Sequence, residues 1–325
     1  MSATKLNPEF RDIDGNTTVL TARLADHFRN PVPDGTVVNF TTEGASIIAS
    51  CSTTGGACSA VMTSQAPRPA DGRATVLAYA VGEESFIDLN GNGVADLVPN
   101  EMVDINAKST DMPEAFRDDN ENLIHDAGET FIDFNGDAIY NGSGGIAGTK
   151  PDIGDGKYNG VLCDNVTAPP AGSSAGTCSP TKSIHVRGSL VIVFSGSTAV
   201  VSKTAPAGTI DLKGCAGGGT TQVDLRIVDS TGNPMPVGST VTVTTSDGTM
   251  TGLSTFVQAN TNVTTAAGTT THSVFVKDDA VTTVSGATIT CTDPTPSGVL
   301  TVTVVTPAGG AGAQVTSTAQ FAITR

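Results

Sequence analysis

The chain of 325 residues contains no tryptophan, and aromatic residues make up only 4% of it. Apolar residues reach 38%, enough for packed cores, and the length suggests about two domains. No apolar run of about 18 residues occurs, so no membrane-spanning helix is expected. Basic residues are scarce: 17 Lys and Arg stand against 32 Asp and Glu, a net charge of −15. With no basic patch to neutralise phosphates, a nucleic-acid partner is not expected. There is no CxxC to support a zinc or thioredoxin-like reading. Neither HExxH, GxSxG nor a P-loop occurs. His27, His125, His185 and His272 form no sequence cluster, and His125 is expected to point outward from its loop. Paired carboxylates over 83–155 could imitate a glycosidase pair, but their spacing points to another chemistry. No catalytic residue is assigned, and the protein is read as a non-enzyme. The start, "MSATKLNPEF", lacks the charged and apolar regions of a signal peptide. Two settings stay open: the cytosol, or an excised piece of a larger secreted protein.

Thr, Val, Ser, Gly and Pro dominate, a mixture that favours short strands and tight turns. Two segments repeat. "RNPVPDGTVVNFTT" spans 29–42 and "GNPMPVGSTVTVTT" spans 232–245. Both read Asn-Pro-x-Pro-x-Gly and then a β-branched run, a turn followed by a strand. Before each turn a strand alternates apolar and polar residues, through Leu20, Ala22 and Leu24 in one copy and Val223, Leu225 and Ile227 in the other. Further strands are expected at 73–80, 101–107, 184–194, 273–277, 281–290, 299–305 and 318–324. This is the pattern of antiparallel β-sandwiches.

The segment "TARLADHFRNPVPDGTVVNFTT", followed by "ADGRATVLAYA" at 70–80, resembles the bacterial immunoglobulin-like domains of intimin- and invasin-type surface proteins. The resemblance covers 17–80 and recurs more weakly over 219–245. It implies an all-β fold with two immunoglobulin-like sandwiches in tandem, a stalk or adhesive role, and no catalytic residues. The first domain is placed at 1–204, interrupted by a loop-rich insert at about 83–182. The second is placed at 205–325, after a short linker at 202–208.

Charge is concentrated in that insert. Residues 83–155 hold 17 Asp and Glu against Lys108, Arg117 and Lys150, leaving the rest of the chain nearly neutral. Ca²⁺ takes roughly six to eight oxygen ligands, which a loop of about 12 residues supplies at its first, third, fifth, seventh, ninth and twelfth positions. From Asp118 these are Asp118, Asn120, Asn122, the Ile124 carbonyl, Asp126 and Glu129. A second loop gives Asp88, Asn90, Asn92, the Val94 carbonyl and Asp96, closed by Glu101 from beyond Pro99. A third gives Asp133, Asn135, Asp137, the Ile139 carbonyl and Asn141 but lacks a terminal carboxylate, which Asp152 or Asp155 would supply unless they form another site. The flanking helices of an EF-hand are missing, although "MPEAF" at 112–116 has room for one helical turn. The loops resemble those of dockerins and thrombospondin type 3 repeats. Leu123 stands where glycine is expected, so a different loop path is anticipated there. A solvated acidic insert is the alternative. Two or more Ca²⁺ ions are expected.

Six cysteines remain. Proximity pairs Cys51 with Cys58, Cys163 with Cys178 and Cys215 with Cys291, against the rival reading of six unrelated buried thiols. Disulfides would place the protein outside the cell or on a bacterial cell surface. The expected partners are neighbouring domains of a longer chain and a host or neighbouring-cell receptor or glycan. Two other roles stay open: a receptor- or glycan-binding module presented by the insert, and a filament-forming surface subunit.

Overall fold

The computed structural model describes all residues except 97–99, 107, 143–144, 147–150, 164–177, 213–218, 266–267, 280, 286–287, 293–296, 309 and 325; for 281–285 and 288–292 only the backbone is described. No helix occurs among the described residues, and none is therefore long and apolar enough to cross a membrane. Two compact units divide the chain. One comprises Met1–Ala3, Val19–Met62 and Ala74–Leu190; the other comprises Thr4–Thr18, Thr63–Arg73 and Val191–Arg325.

The first ten strands are β1 (Ser2–Ala3), β2 (Thr17–Arg23), β3 (Val37–Thr42), β4 (Ser46–Ile47), β5 (Ser50–Ser52), β6 (Ala57–Thr63), β7 (Arg73–Gly82), β8 (Ala115–Phe116), β9 (Phe131–Ile132) and β10 (Ile184–Val193). They form two four-stranded sheets, ordered β1-β2-β6-β4 and β10-β7-β3-β5, and the small pair β8-β9. Alternation sets the inner faces: Leu20 and Ala22 on β2, Ala60 and Met62 on β6, Val38 and Phe40 on β3 are buried. Strand β7 departs from alternation, because Thr75 and Leu77 are buried as well as Ala74, Val76 and Ala78. The insert lies on that second face. Thr75 Oγ1 donates to the Asp118 carbonyl at 2.8 Å, and the Arg117 guanidinium donates to the Thr42 carbonyl at 2.9 Å. Burial of Leu77 there contributes about 1.5–3 kcal/mol.

The later strands are β11 (Val200–Ala205), β12 (Ile210–Asp211), β13 (Thr220–Val228), β14 (Thr240–Thr245), β15 (Thr249–Thr251), β16 (Thr255–Val257), β17 (Thr271–Lys277), β18 (Val281–Ser285), β19 (Thr288–Thr292), β20 (Ser297–Val305) and β21 (Thr316–Thr324). Sheets ordered β11-β13-β17-β15 and β12-β21-β20-β14-β16 enclose an aliphatic core that includes Val223, Leu225, Ile227, Val241, Val274, Val302 and Ile323. The fold is all-β and immunoglobulin-like. Three local expectations change. Residues 101–106 form a loop, with one bridge between Val103 and Ser109. The run 281–290 divides into the hairpin β18-β19. Residues 202–205, read as linker, continue β11 against β13.

The sequence repeat is a structural repeat. Asp26 N–H donates to the Asn30 carbonyl at 2.8 Å, and Asp229 N–H donates to the Asn233 carbonyl at 2.9 Å. In each turn the aspartate carboxylate also accepts the asparagine N–H, at 2.8 and 2.9 Å. Thr36 Oγ1 donates to the Pro33 carbonyl and Ser239 Oγ to the Pro236 carbonyl, at 2.8 and 2.7 Å. Gly232 has a φ of 86°, and Arg29 occupies the same place at 66°.

Cys51 on β5 and Cys58 on β6 are joined, linking the two sheets across a tight turn, and Cys163 is joined to Cys178. Cys215 lies outside the described residues, so its expected pairing with Cys291 is not placed. Non-reducing peptide mapping should recover the first two pairs as linked peptides. Replacing Cys51 and Cys58 together by serine should lower stability by about 2 kcal/mol in urea unfolding.

Candidate metal centre

Each acidic loop is organised by its own side-chain oxygens. At position one, Asp88 accepts the N–H groups of Gly91 and Gly93 at 2.7 and 2.9 Å. Asp118 accepts those of Asn122 and Leu123 at 2.9 and 2.7 Å. Asp133 accepts those of Gly136 and Ala138 at 2.6 and 2.9 Å. The oxygens at positions three and five then take the N–H two residues on. Asn90 and Asn92 do so at 2.9 Å each, Asn120 and Asn122 at 3.1 and 2.9 Å, Asn135 and Asp137 at 2.9 and 2.8 Å. These local bonds curl the backbone so that short side chains at alternate positions face one side.

A glutamate closes each loop by accepting the N–H groups of positions two and nine. Glu101 takes Leu89 at 2.8 Å and Asp96 at 3.0 Å. Glu129 takes Asp119 at 2.8 Å and Asp126 at 2.9 Å. For the third loop the closing residue is Glu114, which takes Phe134 at 2.8 Å and Asn141 at 3.0 Å. Neither Asp152 nor Asp155 serves there. Each glutamate also donates its own N–H to the carbonyl of position nine, at 3.0, 3.1 and 3.1 Å.

Glu114 closes the third loop because the two later loops are paired. Strands β8 and β9 are antiparallel, with Ala115 opposite Ile132 and Phe116 opposite Phe131. Glu114 precedes β8 and Glu129 precedes β9, so each strand start lies beside the other's loop. "MPEAF", which had room for a helical turn, therefore leads into β8 instead. His125 and Tyr140, at position eight of the two loops, stack at 4.1 Å. Both meet Phe116 and Phe131 edge-on at 5.6–5.9 Å. His125 thus belongs to a small aromatic core and does not point outward. Asp152 supports that core, accepting the Tyr140 hydroxyl at 3.2 Å.

The path at Leu123 is the glycine path after all. Position six has φ of 80° at Gly93, 73° at Leu123 and 60° at Ala138, and position four is left-handed at Gly91, Glu121 and Gly136. The Leu123 N–H donates to Asp118 at 2.7 Å and its carbonyl accepts the Asp152 N–H at 3.0 Å, and these bonds hold it in a conformation it disfavours.

The donor set suits a hard cation. Position nine is met by amide groups: Asn90 and Asn92 donate to Asp96 Oδ2 at 2.8 and 2.7 Å, and Asn120 and Asn122 donate to Asp126 Oδ2 at 2.7 and 2.6 Å. Those two amides hold the Asp126 carboxyl below its ordinary range, and main-chain N–H groups, Ala138 first, do the same for Asp133. Both carboxylates are thus held ionised. Carboxylate and amide oxygens that accept one N–H keep a second lone pair for a ligand. Among the described residues no group of three or more His, Cys, Asp or Glu side chains is gathered for a metal; the expected donor set of these loops includes Asn side chains and main-chain carbonyls. The closing glutamate of the third loop was missed because it lies upstream. The signal that marks it is Glu-x-Phe-x-Asp, which recurs at 84–88, 114–118 and 129–133.

No family model and no curated protein matches the chain. Among solved structures it aligns with the D0–D1 domain of intimin, at 10% identity and a TM-score of 0.23, over 99% of this chain and 96% of that one. It aligns with the adhesin InvE of Yersinia pseudotuberculosis at 11% identity and 0.23, over 98% of this chain and 57% of that one. It aligns with invasin, a bacterial integrin-binding protein, at 13% and 0.22, over 97% and 38%. With TM-scores this low, the fold assignment rests on the sheets and registers described above.

Leu123→Gly should relieve the left-handed strain and raise the stability of the first unit by about 1 kcal/mol, whereas Gly93→Ala should lower it by a similar amount. Urea unfolding of the three chains side by side measures both.

Proposed function

We propose that this chain is a non-catalytic, calcium-stabilised segment of an extracellular or bacterial cell-surface protein, acting as a stalk or adhesive module. One observation carries the calcium part: three acidic loops share the same glutamate closure across positions two and nine, around side-chain oxygens at positions one, three and five. Oxygen-only donors favour calcium over zinc or copper. The two disulfides support an oxidising compartment. The histidines support a structural role, since each sits against an aromatic ring: His27 on Phe86, His125 on Tyr140, His185 against Tyr79 and Phe134, His272 on Phe256. Receptor binding by the same insert is a second reading. It is favoured by exposed Leu89, Ile105, Ile139 and Val161, Ile105 being 90% accessible.

Native mass spectrometry should show two or more calcium ions on the chain, removed by EDTA. Binding to the folded state alone adds roughly 2.7 kcal/mol per site at a hundredfold excess over Kd. Calcium should therefore raise the melting transition of the unit that carries the insert and leave the other nearly unmoved. Glu129→Ala should lower that same transition in calcium, with less effect in EDTA. A chain whose mass and melting ignore calcium would make the insert a solvated acidic loop.

A further inference from the structure

Glu101, Glu129 and Glu114 each close one loop, and Glu84 makes the same bonds with no contiguous loop to close. Its Oε1 accepts the Met112 N–H at 2.6 Å and its Oε2 the Asn159 N–H at 2.7 Å. Its own N–H donates to the Asn159 carbonyl at 3.0 Å. Met112 then stands at position two and Asn159 at position nine, which puts Asp111 at position one. Asp111 Oδ2 accepts the Gly156 N–H at 2.8 Å, the bond that Asp88, Asp118 and Asp133 make to position six. Gly156 has the matching φ of 80°. Asp155 accepts the Lys157 N–H at 3.0 Å, the bond of position five to position seven. Tyr158, at position eight, is buried with Phe86, Ala95 and Met102, as His125 and Tyr140 are with Phe116 and Phe131. Gly154 N–H donates to the Asp111 carbonyl at 3.4 Å where the two segments join.

One atom of this arrangement has no partner. Asp111 is only 6% exposed, and its Oδ1 is wholly buried with no hydrogen bond among the described residues. The carboxylates of Glu84 and Asp155 belong to the same closure. A buried carboxylate oxygen beside other acids calls for a cation or a proton.

We propose that Asp111, Asp155, Asn159, the Lys157 carbonyl and Glu84 form a fourth site for a hard divalent cation of calcium type, in a loop whose first residue is separated from the rest by the inner pair of loops. This rests on the calcium reading of the three contiguous loops. The competing occupant is a proton shared by Glu84 and Asp111. Native mass spectrometry of the full chain at saturating calcium separates them. Four ions should bind the unaltered chain and three should bind Asp111→Asn and Asp155→Ala, while Asp104→Ala, in the same insert but outside every closure, keeps four. Asp155 is exposed, so its variant decides the matter if Asp111→Asn does not fold. Three ions on the unaltered chain and on both variants would overturn the fourth site and leave the contiguous loops standing. No ions on any chain would overturn both readings.

Discussion

A carboxylate that accepts two main-chain N–H groups at once is the interaction on which the insert depends. The insert has little apolar mass to bury, and its excess of acidic residues works against compaction. Each closing glutamate offsets the first of these. It satisfies donors that would otherwise be lost to solvent, and it ties the start of a loop to its end. Bonds from main-chain donors to a charged acceptor are worth more than neutral ones, about 1.5–3 kcal/mol each. The aromatic cores between paired loops are small, but they are placed where the closures already hold the backbone.

The sandwiches supply the platform. Residues 74–78 of β7 are buried on both faces, and the insert covers the outer one at Thr75. Arg117 joins the two layers of that contact, reaching the Thr42 carbonyl while it pairs with Asp119 on the loop side. The acidic insert is thus held against the sheet by one of its few basic residues and, from the sheet's side, by Arg187, which donates to the Pro113 carbonyl at 2.7 Å.

Much of this was legible in the residues. Alternation located β2 and β13, the β-branched runs located β3 and β14, and the repeated Asn-Pro-x-Pro-x-Gly marked two turns that share their main-chain bonds. The spacing of Asp and Asn marked three loops, because position-by-position chemistry is local. What stayed hidden was what the third dimension supplies. Glu114 closes a loop that begins well downstream of it, through a strand pairing only two residues long on each side. Leu123 takes a glycine conformation because the bonds around it outweigh the strain. Residues 101–106 read as a strand on composition alone, yet Glu101 is committed to a loop closure and ends the extended path.

The meeting of Asp111 and Gly154 has a topological consequence. The chain leaves and re-enters the outer loop at a single point, so everything between lodges there without stretching the outer loop. The entropy of closing a loop grows only with the logarithm of its length, about 0.6 kcal/mol for each doubling, and an inner segment that folds on itself removes even that cost. Glu84 thus joins Met112 to Asn159 across two chain ends that Asp111 and Gly154 already hold together, and one side chain latches the whole insert at its base.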